Sequence, residues 1–109
     1  MADATITLEN LKAKVNAFRD ARNWRQHHHL KNTILALTGE VGELAHIFRY
    51  LSDEQVKEIL ANTSKKEEVA DELADIFWLL LYLSDDMKID LSSALEKKLE
   101  KTGKKYPLR

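Results

Sequence analysis

The sequence predicts an all-α fold, a bundle of four main helices plus one short helix. Three observations carry this. Apolar residues recur at the helical period of 3.6, and no segment alternates as a half-buried strand would. One proline and three glycines leave few backbone breaks. Two stretches, residues 34–51 and 71–83, are apolar enough to read as helices covered by their neighbours.

The first helix is expected to begin near Thr7, with Leu8, Leu11, Val15 and Phe18 on its inner stripe and Lys12, Lys14, Arg19 and Asp20 elsewhere around it. The pattern weakens at Asn23, so residues 23–31 read as an irregular connection. The central helix over residues 34–51 contains Gly39 and Gly42, each costing about 0.5–1 kcal/mol relative to alanine. Close approach of another helix, or room for a ligand, would explain them. Ser52 and Gln55 form a capping box for a short helix over residues 53–61, broken at Asn62–Thr63. Ser64 and Glu67 read as a second capping box, opening a long helix to about Met87. Val69, Leu73, Ile76, Phe77 and Leu80 form its first stripe, and from Ile76 it is apolar nearly all round, as a central buried helix would be. Asp90 can cap a final helix with Leu91, Ala94, Leu95 and Leu99 inward, ending at Gly103.

The 109 residues read as one domain. A core of this size is adequate but small, and such helices often complete their burial by oligomerising. A net charge of −1 argues against a nucleic-acid polymer as partner. Without cysteine there are no disulfides or thiolate metal sites, which leans toward a reducing compartment. The N-terminus has no basic or apolar signal-like segment, and the longest wholly apolar run, residues 76–83, is too short to span a bilayer. A cytoplasmic setting without membrane contact is expected.

Chemistry concentrates in four carboxylates. Glu40 and Glu43 are the only formal charges between Lys31 and Arg49, and residues three apart share a helix face. Glu72 and Asp75 repeat the spacing on the long helix. None of Glu40, Glu43 or Asp75 has Lys or Arg three or four residues away, and Glu72 has only Glu68 and Ile76 at four. Carboxylates gathered on apolar helices are costly unless a cation sits between them. All-oxygen ligands suit the hard cations Mg²⁺ or Mn²⁺. A phosphate ligand would be repelled by four carboxylates unless two or more cations intervened, which points to a multi-metal, phosphate-handling site. Glu68 belongs to the same helix margin, but its place in the first turn favours a dipole interaction. Glu43 and His46 have the Glu-x-x-His spacing of di-iron bundles, yet Glu72-x-x-Asp75 supplies no second histidine.

These residues resemble the all-α MazG-like nucleoside triphosphate pyrophosphohydrolases. The order E-x-x-E, spacer, E-x-x-D matches, and the resemblance extends over roughly residues 8–107. RNWRQHHHLKN resembles that family's R-x-W-x-x-x-H-x-x-(K/R)-N segment, with Trp24, His28, Lys31 and Asn32 in register. LTGEVGELAHIFRY resembles the segment ending F-Q-W in the dCTP pyrophosphatase branch. KKLEKTGKKYP resembles its K…R-Y-P terminus, matching Lys98, Lys105, Tyr106 and Pro107. The resemblance implies Mg²⁺-dependent hydrolysis between the α- and β-phosphates, in dimers or dimer-of-dimers tetramers whose sites are shared between protomers. It implies that Glu40, Glu43, Glu72 and Asp75 hold the metal and that Glu40 or Glu43 activates water. Trp24 and Tyr50 would line the base pocket with His28 and Asn32 nearby. Lys31, Lys98 and Lys105 would contact phosphates, with Tyr106 beside them in the closing tail. dCTP or a related pyrimidine deoxynucleotide is the implied substrate, and nucleotide-pool cleaning the implied role.

Three departures bear on which base is preferred. Tyr50 stands where the dCTP branch has tryptophan, Leu79 where it commonly has tyrosine, and Thr102 where asparagine is frequent. Taken without the resemblance, Trp24 reads first as a core plug, His27 and His29 as exposed polar residues, and His46, Trp78 and Tyr82 as core or interface residues. A catalytically silent oligomerisation module is then the rival function, though such a module would gain from apolar residues at the carboxylate positions.

Overall fold

Helix ends are set by local capping in this computed structural model, which describes residues 1–108. The elements in order are α1 (Ala2–Thr5), α2 (Leu8–Ala21), a 3-10 turn (Arg25–His27), α3 (Leu30–Phe48), α4 (Asp53–Ala61), α5 (Thr63–Asp86) and α6 (Leu91–Lys105). Thr7 caps α2 by accepting from the Asn10 amide. Ser52 and Gln55 make the reciprocal box expected for α4, and Asp90 caps α6 by accepting from Ser93.

Two left-handed residues close the two helices that matter most. Asn23 (φ 56°) lets the Trp24 amide donate to the Arg19 carbonyl at 2.9 Å, with Asn23 donating to Asp20 at 3.2 Å. Lys88 (φ 58°) repeats the arrangement at the end of α5, where Ile89 donates to Ser84 at 2.8 Å and Lys88 to Asp85 at 3.1 Å. Both are Schellman closures, which satisfy the last free carbonyls of a helix.

The main packing unit is α3 against α5, an antiparallel pair: Glu40 and Glu43 meet Glu72 midway, while His28, just before α3, meets Tyr82 near the end of α5. α2 packs on the C-terminal half of α5, and α4 on α5 as well. The buried residues Leu81, Tyr82, Leu83 and Ser84 lie where α2 covers α5. At that crossing Arg19 is wholly buried. Its guanidinium donates to Asp86 at 2.7 and 3.2 Å and lies 4.3 Å from the Tyr82 ring centroid.

Several boundaries differ from the sequence expectation. α1 was not anticipated, and α3 starts and ends a few residues earlier than the apolar run. Asn62, not Ser64, caps α5: its side chain accepts from the Lys65 amide. That start puts Glu68 beyond the first turn, so the helix-terminal dipole no longer accounts for it. α6 runs through Gly103 to Lys105, because Gly103 does not take the left-handed conformation that would have ended the helix. Arg19 is buried rather than on the solvent side, because Asp86 neutralises it.

The largest difference concerns the apolar faces. Leu95 (61% exposed) and Leu99 (64%) of α6 do not point into this chain, and α6 packs closely on no other helix among the described residues. Leu73, Phe77 and Leu80, expected on the buried stripe of α5, are also exposed, as are Ile34 and Leu35 on α3. The radius of gyration, 16.9 Å, exceeds the roughly 13 Å of a closed globule of this length. The helices therefore pair locally and leave long apolar rows uncovered. No helix among the described residues is long and apolar enough to cross a membrane.

Candidate metal centre

The seam between α3 and α5 carries the acidic cluster. Glu40 and Glu43, one helical turn apart, face Glu72, and one carboxylate oxygen from each lies within 4.8 Å of the others. Glu40 and Glu72 are half-buried and Glu43 is exposed. Glu40 Oε2 and Glu72 Oε2 are buried atoms with no hydrogen-bond donor. Deprotonated carboxylates only accept, so these oxygens call for a proton, a cation or a water as partner. Asp75 does not join this group of oxygens, but its charge acts on both Glu40 and Glu72.

The electrostatics record the crowding. Desolvation, the neighbouring Glu72 oxygen, and the charges of Glu43 and Asp75 push Glu40 up to about 7. Desolvation also raises Glu72, partly opposed by the neighbouring Glu40 carboxyl. Without a cation the pair thus keeps a proton to hold two like charges together. The donor set, all oxygen and mutually repulsive, fits a hard divalent ion.

A groove of about 460 Å³ opens beside the cluster, lined by Gly39, Gly42, Glu43, His46, Ile47, Glu68 and Glu72. A Cβ placed on Gly39 or Gly42 would meet nothing within 4 Å. The glycines therefore do not mark a close helix approach within this chain; they widen the groove. Glu68 adds a further carboxylate to its wall, only loosely engaged by Lys65 at 3.9 Å across exposed side chains. His46 lines the groove but supplies no ligand to the close group of three.

The aromatic segment lies farther along α5. Trp24 is 42% exposed and packs edge-on against Phe18 at 5.5 Å, and Phe18 meets Trp78 at 5.2 Å. His28 lies between Trp24 (6.5 Å) and Tyr82 (5.0 Å). Trp78 is six residues from Glu72 and Tyr82 ten, about 9 and 15 Å of helix rise. That separation suits a ligand with an anionic end and a planar end.

Other sequence-predicted residues are scattered. Lys31 and Asn32 are exposed on the first turn of α3. Tyr50 is 79% exposed, with the Arg49 guanidinium 4.8 Å from its ring centroid. Lys98 lines a different groove, at the α5–α6 junction with Ile89, Asp90, Lys97 and Lys101. Lys105 lies 5.5 Å from the ring of exposed Tyr106 at the far end of α6. Neither Tyr50 nor any residue of α6 lines the groove beside the carboxylates. Sequence reasoning missed Arg19 and Asp86. Their only signal was an acidic pair, Asp85–Asp86, ending an apolar helix.

The chain resembles known proteins over most of its length. The MazG-like family model matches residues 23–109. dCTP pyrophosphatase 1 from Bos taurus is 33% identical over 102 residues, covering 94% of this chain and 60% of the relative. Its Homo sapiens counterpart is 32% identical over 101 residues, covering 93% and 59%. The chain thus spans about three fifths of the length of the curated relatives it matches. A solved structure of a pyrophosphatase from Archaeoglobus fulgidus superposes with a TM-score of 0.85 at 37% identity, covering 92% of each chain.

The raised Glu40 value predicts a pH dependence of stability for the cation-free protein. Its folded value, about 7, lies above the ordinary 4.5 of the unfolded chain. The folded state therefore holds more protons between those values, and stability falls as pH rises through that window. In a chelator, the melting temperature should be higher at pH 5 than at pH 7.5. Glu40→Gln should flatten the difference, measured by circular dichroism. An unchanged slope in Glu40→Gln would mean that other groups set the dependence.

Proposed function

Because the chain belongs to the MazG-like family, we propose that it is a Mg²⁺-dependent nucleoside triphosphate pyrophosphohydrolase. It would cleave between the α- and β-phosphates of dCTP or a related pyrimidine deoxynucleotide, giving a monophosphate and pyrophosphate and clearing unwanted nucleotides from the pool. The observation that carries this reading is the convergence of Glu40, Glu43 and Glu72 with buried, donorless oxygens. The names of the related pyrophosphatases support the reaction class.

In this reading Glu40, Glu43, Glu72 and Asp75 hold Mg²⁺, with Mn²⁺ as a substitute. When bound, such ions polarise phosphoryl oxygens and lower the pKa of water. Glu40 or Glu43 accepts the proton of the attacking water. The water oxygen ends on the α-phosphorus, and the bridging oxygen leaves with pyrophosphate. Trp24 offers a partly exposed ring for base stacking, with His28 and Asn32 beside it, and Lys31 meets the phosphates. A silent oligomerisation module would leave the buried Glu40 and Glu72 oxygens without purpose.

The uncovered apolar rows of α3, α5 and α6 support a homo-oligomer, a dimer or a dimer of dimers. Tyr50, Lys98, Lys105 and Tyr106, which do not line the acidic groove of their own chain, would then act at a site shared between protomers. A cytoplasmic setting accords with the cysteine-free sequence.

Four outcomes are expected. A panel of nucleoside triphosphates should yield pyrophosphate with Mg²⁺ and none with EDTA, and Glu43→Gln should lower turnover by about 100-fold or more while staying folded. Orthophosphate as product would put the cleavage elsewhere. Trp24→Ala should raise KM about 10-fold, as loss of one stacked base requires, and alter base preference; an unchanged profile would remove Trp24 from the pocket. Sedimentation at micromolar concentration should give a dimer or tetramer, and a monomer would contradict the shared site.

A further inference from the structure

Arg19 is the most completely enclosed charge among the described residues, and none of the roles above uses it. Its guanidinium reaches three partners. Nε donates to Asn16 Oδ1 at 2.9 Å, Nη1 and Nη2 donate to the Asp86 carboxylate at 3.2 and 2.7 Å, and Nη1 lies 3.3 Å from His28 Nδ1. Asp85 adds a longer contact at 3.6 Å, and Tyr82 lies under the guanidinium. The Arg19 carbonyl also accepts the Trp24 amide. One residue thus joins α2, the end of α5, and Trp24 and His28 of the connecting segment.

The contact with His28 has a definite polarity. A guanidinium has N–H donors and no acceptor, so His28 Nδ1 must be the acceptor. The ring hydrogen is then on Nε2, and Nε2 makes no hydrogen bond among the described residues. Burial, and next the Arg19 charge, lower the His28 pKa. His27 and Arg25 on its own segment act the same way, and Asp86 on α5 opposes them. His28 is half-buried.

We infer that Arg19 is a positioning residue: anchored by Asp86, it fixes His28 as the Nε2–H tautomer and makes that ring a hydrogen-bond donor to the nucleotide held beside Trp24. The ligand in this statement rests on the pyrophosphohydrolase reading; the tautomer does not. A rigid donor beside a stacking ring selects for an acceptor on the base or sugar, because a mismatched group would leave the N–H unpaired.

The test begins with the unaltered protein. Long-range ¹H–¹⁵N correlation of its four histidines should show His28 with a bare Nδ1 and a protonated Nε2. The pattern should persist to lower pH than in an ordinary histidine, which titrates near 6.5. An Nδ1–H or charged ring at pH 7.5 overturns the inference. In the paired variant Arg19→Met/Asp86→Leu, which removes both buried charges together and so avoids stranding one, the His28 signals should average between tautomers. Retention of the Nε2–H pattern would exclude Arg19 as its cause.

Turnover then tests the donor without touching the buried pair. His28→Gln, whose amide can replace the Nε2–H, should keep KM within about twofold. His28→Asn should raise it by about 2- to 10-fold with kcat little changed, the range expected for one neutral hydrogen bond. Equal KM values in the two variants would overturn the donor role. If no triphosphate is turned over at all, the pyrophosphohydrolase reading fails and the donor role falls with it, while the histidine spectrum still decides what Arg19 does.

Discussion

Like charges held together at the α3–α5 seam are the constraint on which the structure turns. Glu40, Glu43 and Glu72 bring oxygens within 4.8 Å of one another, and two of those side chains have buried oxygens without a donor. Such an arrangement opposes folding unless a proton or cation compensates it. The apolar packing of α3 on α5 must therefore be strong enough to impose it. Placing each acidic pair on one face of a helix does the rest: once the two helices lie antiparallel, the carboxylates meet without any loop to position them. Sites on rigid elements hold their geometry better than sites on loops.

The second consequence is a division of labour along α5. Glu72, its member of the acidic cluster, lies in the first half, and Trp78 and the buried run Leu81 to Ser84 lie in the second. The same helix thus fixes both the separation and the direction between a cation-attracting centre and an aromatic cluster. The Schellman closures at Asn23 and Lys88 reinforce the far end, since they turn the chain back just where Arg19 ties α2 to Asp86. Breaking that tie would loosen the aromatic segment while leaving the carboxylates in place, because they depend on a different pair of helices.

Much of this was legible in the sequence, and what was legible was local. The capping box of α4, the Asp90 cap and the i,i+3 carboxylates follow from chemistry within a few residues, and all three are present. The start of α5 was misread because Asn62 and Ser64 both satisfy capping chemistry, and which one wins depends on where α4 ends. Arg19 was unreadable for a different reason. Its burial requires Asp86, sixty-seven residues away, and no periodicity on α2 announces a partner on α5. The outward leucines of α6 mark a third limit: an amphipathic pattern shows that a face seeks cover, but not which chain provides it.

That last point bears on how the chain can be both marginally closed and specific. A single copy leaves Leu35, Leu73, Leu95 and Leu99 in solvent, and contiguous exposed apolar patches are the kind of surface that marks interaction sites. The acidic seam lies on α3 and α5, which also carry two of the apolar rows, so covering those rows would also bring new side chains toward the carboxylates. Burial would then lower the local dielectric around the acidic cluster and strengthen its demand for a cation. Were copies to associate over these rows, association and cation affinity would be one coupled equilibrium rather than two separate properties.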